Sequence, residues 1–179
     1  MLNDVEIKAW AERNVVPLDL QNLNPASIDL RLGNTLRKTK WYWKRPFWPL
    51  TWKIHKIRPL QLWGPEIEFE KYTMRPGEFL LTCSMEKTFI PEDFVSILLS
   101  KSSTGRMGIE HLHSGFGDPG FNGKWTWELV NVAPWPVEIC AGQRLMQLVL
   151  AKLVSAPERM YDGRYQNQEG PTPARPDHN

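Results

Sequence analysis

The sequence predicts a mainly β domain, and three observations carry that prediction. Short apolar runs recur at roughly 8–12-residue spacing between Gly/Pro turns, the rhythm of sandwiches and barrels. Fifteen prolines in 179 residues argue against a helical bundle, because each removes a backbone donor. A hydrophobic content of 41% beside 23% charged residues is that of a folded chain and excludes wholesale disorder.

The elements follow in order. Asn3 to Arg13 reads as a short helix, with Asn3 as cap, Glu6 completing a capping box, and Val5, Ala9 and Trp10 sharing a face with Leu2. Pro25 to Asn34 reads as a strand in which Ile28, Leu30 and Leu32 alternate with Asp29 and Arg31, ended by a Gly33-Asn34 turn. Further strands are predicted at Phe79–Ser84, Phe94–Ser100, Lys124–Asn131 and Arg144–Ala151. Each is preceded by a turn: Arg75–Glu78, Pro91–Asp93, Asp118–Gly123 and Ala141–Gln143 respectively. One β domain over 1–162 is expected, with an insertion at about 36–68 and a polar Pro/Gly-rich tail over 163–179. Such a tail is either disordered or orders only over a ligand or a neighbour.

Charge and cysteine content narrow the function classes. Twenty-two basic against 20 acidic residues, net +2, give no global case for a nucleic-acid partner. Cys83 and Cys140 are too few for a disulfide framework. The charged N-terminus lacks the apolar stretch of a signal peptide or membrane span, which points to a cytoplasmic protein. The stretch from Arg31 to Trp63 contains no acid and five of the nine tryptophans. Aromatics interleaved with Lys and Arg suit single-stranded nucleic acid or a membrane surface. A subunit contact, with lysine stems lying over Trp, is the favoured reading.

Two stretches carry chemistry. Lys101-Ser102-Ser103-Thr104-Gly105-Arg106-Met107-Gly108 packs two cations, adjacent hydroxyls and two glycines after an apolar strand. That is the composition of an anion cradle, since hydroxyls and backbone donors reach phosphate oxygens where glycine admits them and Arg adds a charged fork. It lacks the Walker order, and on composition alone it reads as a polar turn opening a short helix. The second stretch runs from Asp118-Pro119-Gly120 through Asn122-Gly123 to Glu128, between Trp127 and Leu129. A carboxylate amid such bulk suits acid–base work; on periodicity alone it is a strand carboxylate facing water. His111 and His113, two apart, could share a metal with one carboxylate, though a structural role is favoured.

In series these segments resemble the dCTP deaminase family of the dUTPase-related superfamily. The resemblance rests on Pro25–Asn34, Arg75–Phe79, Lys101–Gly108, Asp118–Gly123, Glu128–Asn131 and Gln166–Arg175. It reverses both bland readings and implies a distorted β jelly roll forming a homotrimer, with active sites between subunits. By the same resemblance Glu128 matches the glutamate that shuttles protons between water, pyrimidine N3 and the leaving ammonia. Ser102 and Arg106 match catalytic residues that hold phosphate and support the water. Ser103 and Lys101 join the phosphate grip, and Asp118 lies by the deoxyribose. Trp125 and Thr126 belong to a strand that reads the base edge. Tyr161, Arg164 and Gln168 match a C-terminal segment that closes over the triphosphate.

The chain departs from the family's pattern at Ser114, where alanine is expected beside the reacting water, and at His113, where a small residue is usual. It also departs in the bulk of Trp125 and Trp127, and Ile109–His111 is one residue short. Zinc chemistry at the base would need H-x-E and P-C-x-x-C, which this sequence lacks; the resemblance implies magnesium, carried on the phosphates. The leading expectation is deamination of dCTP to dUTP. The alternatives are dUTP diphosphatase action, alone or after deamination to give dUMP and pyrophosphate; a modified cytosine nucleotide as substrate; and a non-catalytic nucleotide-binding module.

Overall fold

The computed structural model describes residues 1–39 and 62–175. Helix α1 (Asp4–Asn14) opens the chain, with the Asn3 side chain accepting from Glu6 N and Glu6 Oε2 accepting from Asn3 N, both at 3.0 Å. Its buried stripe is Leu2, Ile7, Trp10 and Ala11, at helical i, i+3, i+4 spacing. Val5 is exposed and Ala9 faces solvent as well, which corrects the expected face. Leu2 N bonds Leu150 O at 2.9 Å, and Trp10 Nε1 donates to Phe89 O at 3.2 Å. The helix thereby lies across the sheet ends.

The strands are β1 (Val15–Val16), β2 (Leu23–Asn24), β3 (Ser27–Thr39), β4 (Trp63–Glu68), β5 (Lys71–Met74) and β6 (Phe79–Phe89). They continue as β7 (Phe94–Ser100), β8 (Ile109–His111), β9 (Phe116–Gly117), β10 (Asn122–Asn131), β11 (Val137–Cys140) and β12 (Arg144–Lys152). A short helix, α2, spans Ser102–Arg106. The main sheet runs β8-β10-β6-β3-β12-β7-β9, with β1 on β6 and β2 and β4 on β3; β11 and β5 pair separately. Every described pairing is antiparallel, and the curled sheet is the β jelly roll the resemblance implied.

Strand β3 is the hinge of this curl. Its first half pairs with β12 (Met146↔Leu30, Leu148↔Ile28), and its second half pairs with β6 and β4 (Leu36↔Thr82, Leu36↔Ile67). The predicted turn at Gly33-Asn34 is therefore a crossing within one strand. A Cβ at Gly33 would stand 3.0 Å from the Cys83 carbonyl, so glycine permits the close passage where the β3–β6 register shifts between Leu32 and Leu36. The insertion's ends reach Thr39 and Trp63, which pair with each other. The Trp/Lys/Arg-rich residues 40–61 lie outside the described ones.

The core fills the curl with Ile28, Leu30, Leu32, Leu36, Leu80, Leu98, Trp127, Leu129, Leu145, Leu148 and Leu150, each at most 2% exposed. Burial of each is worth roughly 1.5–3 kcal/mol; truncating Trp127 to Ala would cost about 3–5 kcal/mol. Charged groups inside are tied down. Glu86 accepts from Arg31 Nε at 2.6 Å and from Arg31 N at 2.8 Å. Burial still pushes its carboxyl above the ordinary range, only partly offset by Arg31. Burial likewise pushes the Cys83 thiol up, and both cysteines are free.

Candidate active site

Strand β10 places the site by alternation. Its burial pattern sends Gly123, Trp125, Trp127, Leu129 and Asn131 into the core and leaves Lys124, Thr126 and Glu128 on the other face. Glu128 is thus half-sheltered, its side chain 24% exposed, between two neighbours committed to the interior. The bulk of Trp127 is spent inward, while Trp125, also buried, backs the cavity wall. Trp127 is fully buried, and Trp125 Nε1 donates to Thr88 Oγ1 at 2.9 Å. A register shift between Lys124 and Thr126 on β6 marks a bulge, where Trp125 N donates to Ser84 Oγ at 2.8 Å.

The C-terminal tail forms the outer wall. Lys124 N donates to Gln168 O at 2.9 Å, Gln168 Nε2 returns to Lys124 O at 2.7 Å, and Asn167 N donates to Asn122 O at 2.7 Å. Thr172 N reaches Thr126 Oγ1 at 3.2 Å, and Arg37 Nε holds Pro171 O at 2.9 Å. The tail has no regular secondary structure through Arg175, yet it is seated on its own chain because these backbone groups find partners on β10 and β3. Gly123 makes the approach possible, since a Cβ there would lie 3.1 Å from Gln168 N and O.

Between the tail and β10 lies a cavity of about 410 Å³, within the range of small-molecule sites. Its lining includes Glu128, Asp118, Ser114, Trp125, Thr126, Tyr161 and Gln168, seven of the residues that sequence reasoning singled out. Glu128 Oε2 accepts from Ser114 Oγ at 2.6 Å. The same oxygen lies 3.3 Å from Nε2 of His111, an imidazole with no exposed surface. That is ion-pair distance, out of line for a hydrogen bond. His113 leaves the strand with φ of 58° and sits exposed, 3.1 Å from Glu110, so the two histidines do not share a face. Among the described residues no three His, Cys, Asp or Glu side chains gather to hold a metal.

The remaining predicted residues lie elsewhere. Lys101, Ser102, Ser103 and Arg106 are absent from the cavity lining; α2, which joins β7 to β8, packs on β8 and β12 instead. Lys101 Nζ pairs with the buried Asp29 carboxylate, which also accepts from Asn24 Nδ2 at 2.9 Å. Arg164 stands outside the lining, with its Nη1 donating to Arg175 O and its guanidinium 6.0 Å from the Tyr165 ring. Tyr165, Thr172, Phe116, Phe121 and Trp63 line the cavity without having been expected there. The signal for Thr172 lay in the tail motif that also contains Gln168, with Tyr165 immediately before it; Phe121 lies within the Asp118–Gly123 motif and Trp63 at the end of the Trp-rich stretch, whereas Phe116 belongs to neither.

A small-molecule cavity with two carboxylates in its wall, set in a curled β jelly roll, has the make-up of an enzyme site. A family model described as dCTP deaminase-like matches residues 1–153. Proteins named "dCTP deaminase, dUMP-forming" from Parafrankia sp. and Streptomyces coelicolor are each 35% identical over 184 residues. These matches cover 98% of this chain and 90% and 94% of theirs. The 2'-deoxycytidine 5'-triphosphate deaminase of Agrobacterium tumefaciens shares the fold, with a TM-score of 0.64 at 22% identity, over 83% of this chain and 46% of that one; the chain thus spans less than half of that protein. This chain belongs to the dCTP deaminase-like family.

Proposed function

We propose that the chain deaminates dCTP and then cleaves the resulting dUTP to dUMP and pyrophosphate. The observation that carries the deamination half is Glu128, a half-sheltered carboxylate on the cavity wall whose Oε2 is already engaged. Deamination needs a group that takes a proton from the attacking water and delivers it to N3. Glu128 is assigned that work. Water adds at C4, the ring nitrogen gains the proton, and the C4–N bond breaks as ammonia takes up a second proton from the new C4 hydroxyl. The second half places Asp118 in the same cavity to activate a second water against phosphorus, breaking the bond between the α- and β-phosphates. What favours dUMP over dUTP as final product is the "dUMP-forming" name borne by the relatives.

The cavity's carboxylate, hydroxyl and amide oxygens are hard donors suited to an ion that arrives on phosphate. Magnesium bound there would neutralise triphosphate charge. We further propose a homotrimer in which α2 of one subunit completes the cavity of the next. This is supported by the absence of Ser102, Ser103 and Arg106 from their own chain's cavity, and by exposed Ile97, Leu99, Leu112 and Phe116 beside it. Among the described residues no helix is long and apolar enough to cross a membrane.

The test is incubation with dCTP and magnesium, following ammonia, dUTP, dUMP and pyrophosphate. Ammonia with equimolar dUMP and pyrophosphate is expected. Accumulation of dUTP would restrict the chain to deamination. Nucleotide binding without ammonia would leave only a binding module.

A further inference from the structure

We infer that Ser114 is a positioning residue. Its hydroxyl holds Glu128 Oε2 and leaves Oε1 as the oxygen that carries the proton. This rests on the role proposed for Glu128, but the contact itself is independent of any reaction.

The geometry is local and specific. Ser114 Oγ donates to Glu128 Oε2 at 2.6 Å, short as expected for a hydroxyl bonded to a charged carboxylate. The loop that presents it is fixed on both sides. On one side His113 takes a left-handed turn, a conformation disfavoured for residues with a Cβ. On the other, Gly115 O accepts from Leu98 N at 2.7 Å, and a Cβ on Gly115 would lie 2.6 Å from Leu98 Cβ. The backbone that presents the hydroxyl is therefore held from both sides, while the side chain itself is exposed. With His111 Nε2 also 3.3 Å from Oε2, that oxygen has a hydroxyl and an imidazole nitrogen beside it, while among the described residues the only hydrogen bond to the Glu128 carboxyl is the one from Ser114 to Oε2.

The experiment compares wild type, Ser114→Ala and Ser114→Thr in the intact chain with two readouts. The first is the 13C chemical shift of the Glu128 carboxyl in free protein at one fixed pH. The second is kcat and KM for dCTP deamination. Ser114→Ala removes the donated hydrogen bond, so the carboxyl signal should move, and kcat should fall about tenfold with KM within about twofold. Ser114→Thr, which retains the hydroxyl, should keep the wild-type signal and most of the wild-type kcat. An unmoved carboxyl signal in Ser114→Ala overturns the inference whatever the activity. A moved signal in a protein that releases no ammonia sustains the contact and overturns the deaminase reading instead.

Discussion

Two regions that the sequence marks as one site are built in opposite ways. The wall made by β10 and the tail is assembled within a single chain. Glu128, Asp118, Ser114 and Thr126 meet Gln168 and Thr172 around one cavity. The Lys101–Gly108 segment, rich in phosphate-binding chemistry, is anchored just as firmly but does not enter that cavity. Its Lys101 is tied to Asp29, and Thr104 Oγ1 donates to Leu145 O at 2.7 Å. The difference is the arrangement the proposed trimer requires, in which the Glu128 wall of one chain and the α2 segment of the same chain would serve different cavities.

The largest effect should come from the base end. Glu128→Gln keeps the shape of the wall but cannot carry a proton, so ammonia release should fall about 10²–10⁴-fold. Binding of dCTP, measured by calorimetry, should persist; unchanged turnover would remove the distinction between the halves.

Next comes the phosphate end. Arg106→Ala should cost about 1.5–3 kcal/mol of a charge-assisted contact, read as a ten- to hundredfold fall in kcat/KM with weaker triphosphate binding. Mixing inactive Glu128→Gln copies with Arg106→Ala copies under conditions that exchange subunits should restore activity. No restoration would mean that both residues serve one chain's site.

Removing the chain beyond Gly163 should raise KM about tenfold, since the cavity loses its outer wall, while the β core melts as before. Normal kinetics in the truncated protein would leave β10 alone as the working surface. The smallest expected effect is on stability. Lys101→Ala strips a cation from the buried Asp29 carboxylate, leaving Arg144 at 3.7 Å and Asn24. It should lower the unfolding free energy by about 1–3 kcal/mol, a Tm fall of several degrees by calorimetry.

Legibility differed by element for physical reasons. Strand β7 could be read to its ends because its apolar run is bounded by a Pro turn and by the polar segment of α2. The capping box of α1 was equally plain, whereas its buried face was misplaced because Val5, Ala9 and Ile7 are all apolar and only the sheet beneath chooses among them. Strand β3 was cut short at Gly33-Asn34, since a dipeptide that makes a turn in isolation can also make room for a neighbouring backbone. Phe116 gave no functional signal, because an aromatic that lines a cavity and one that fills a core have the same local sequence.

What the sequence determined by itself is the chemistry available: the carboxylates at 118 and 128, the cationic hydroxyl-rich run after β7, and the alternation that turns Glu128 out of the core between Trp127 and Leu129. Only the tertiary structure decided which of these meet. A strand's period of two fixes the face on which a side chain emerges, but not the segment that will lie across that face. That choice was made by long-range backbone pairing of the tail on β10, and by a β3 that passes from one half of the sheet to the other.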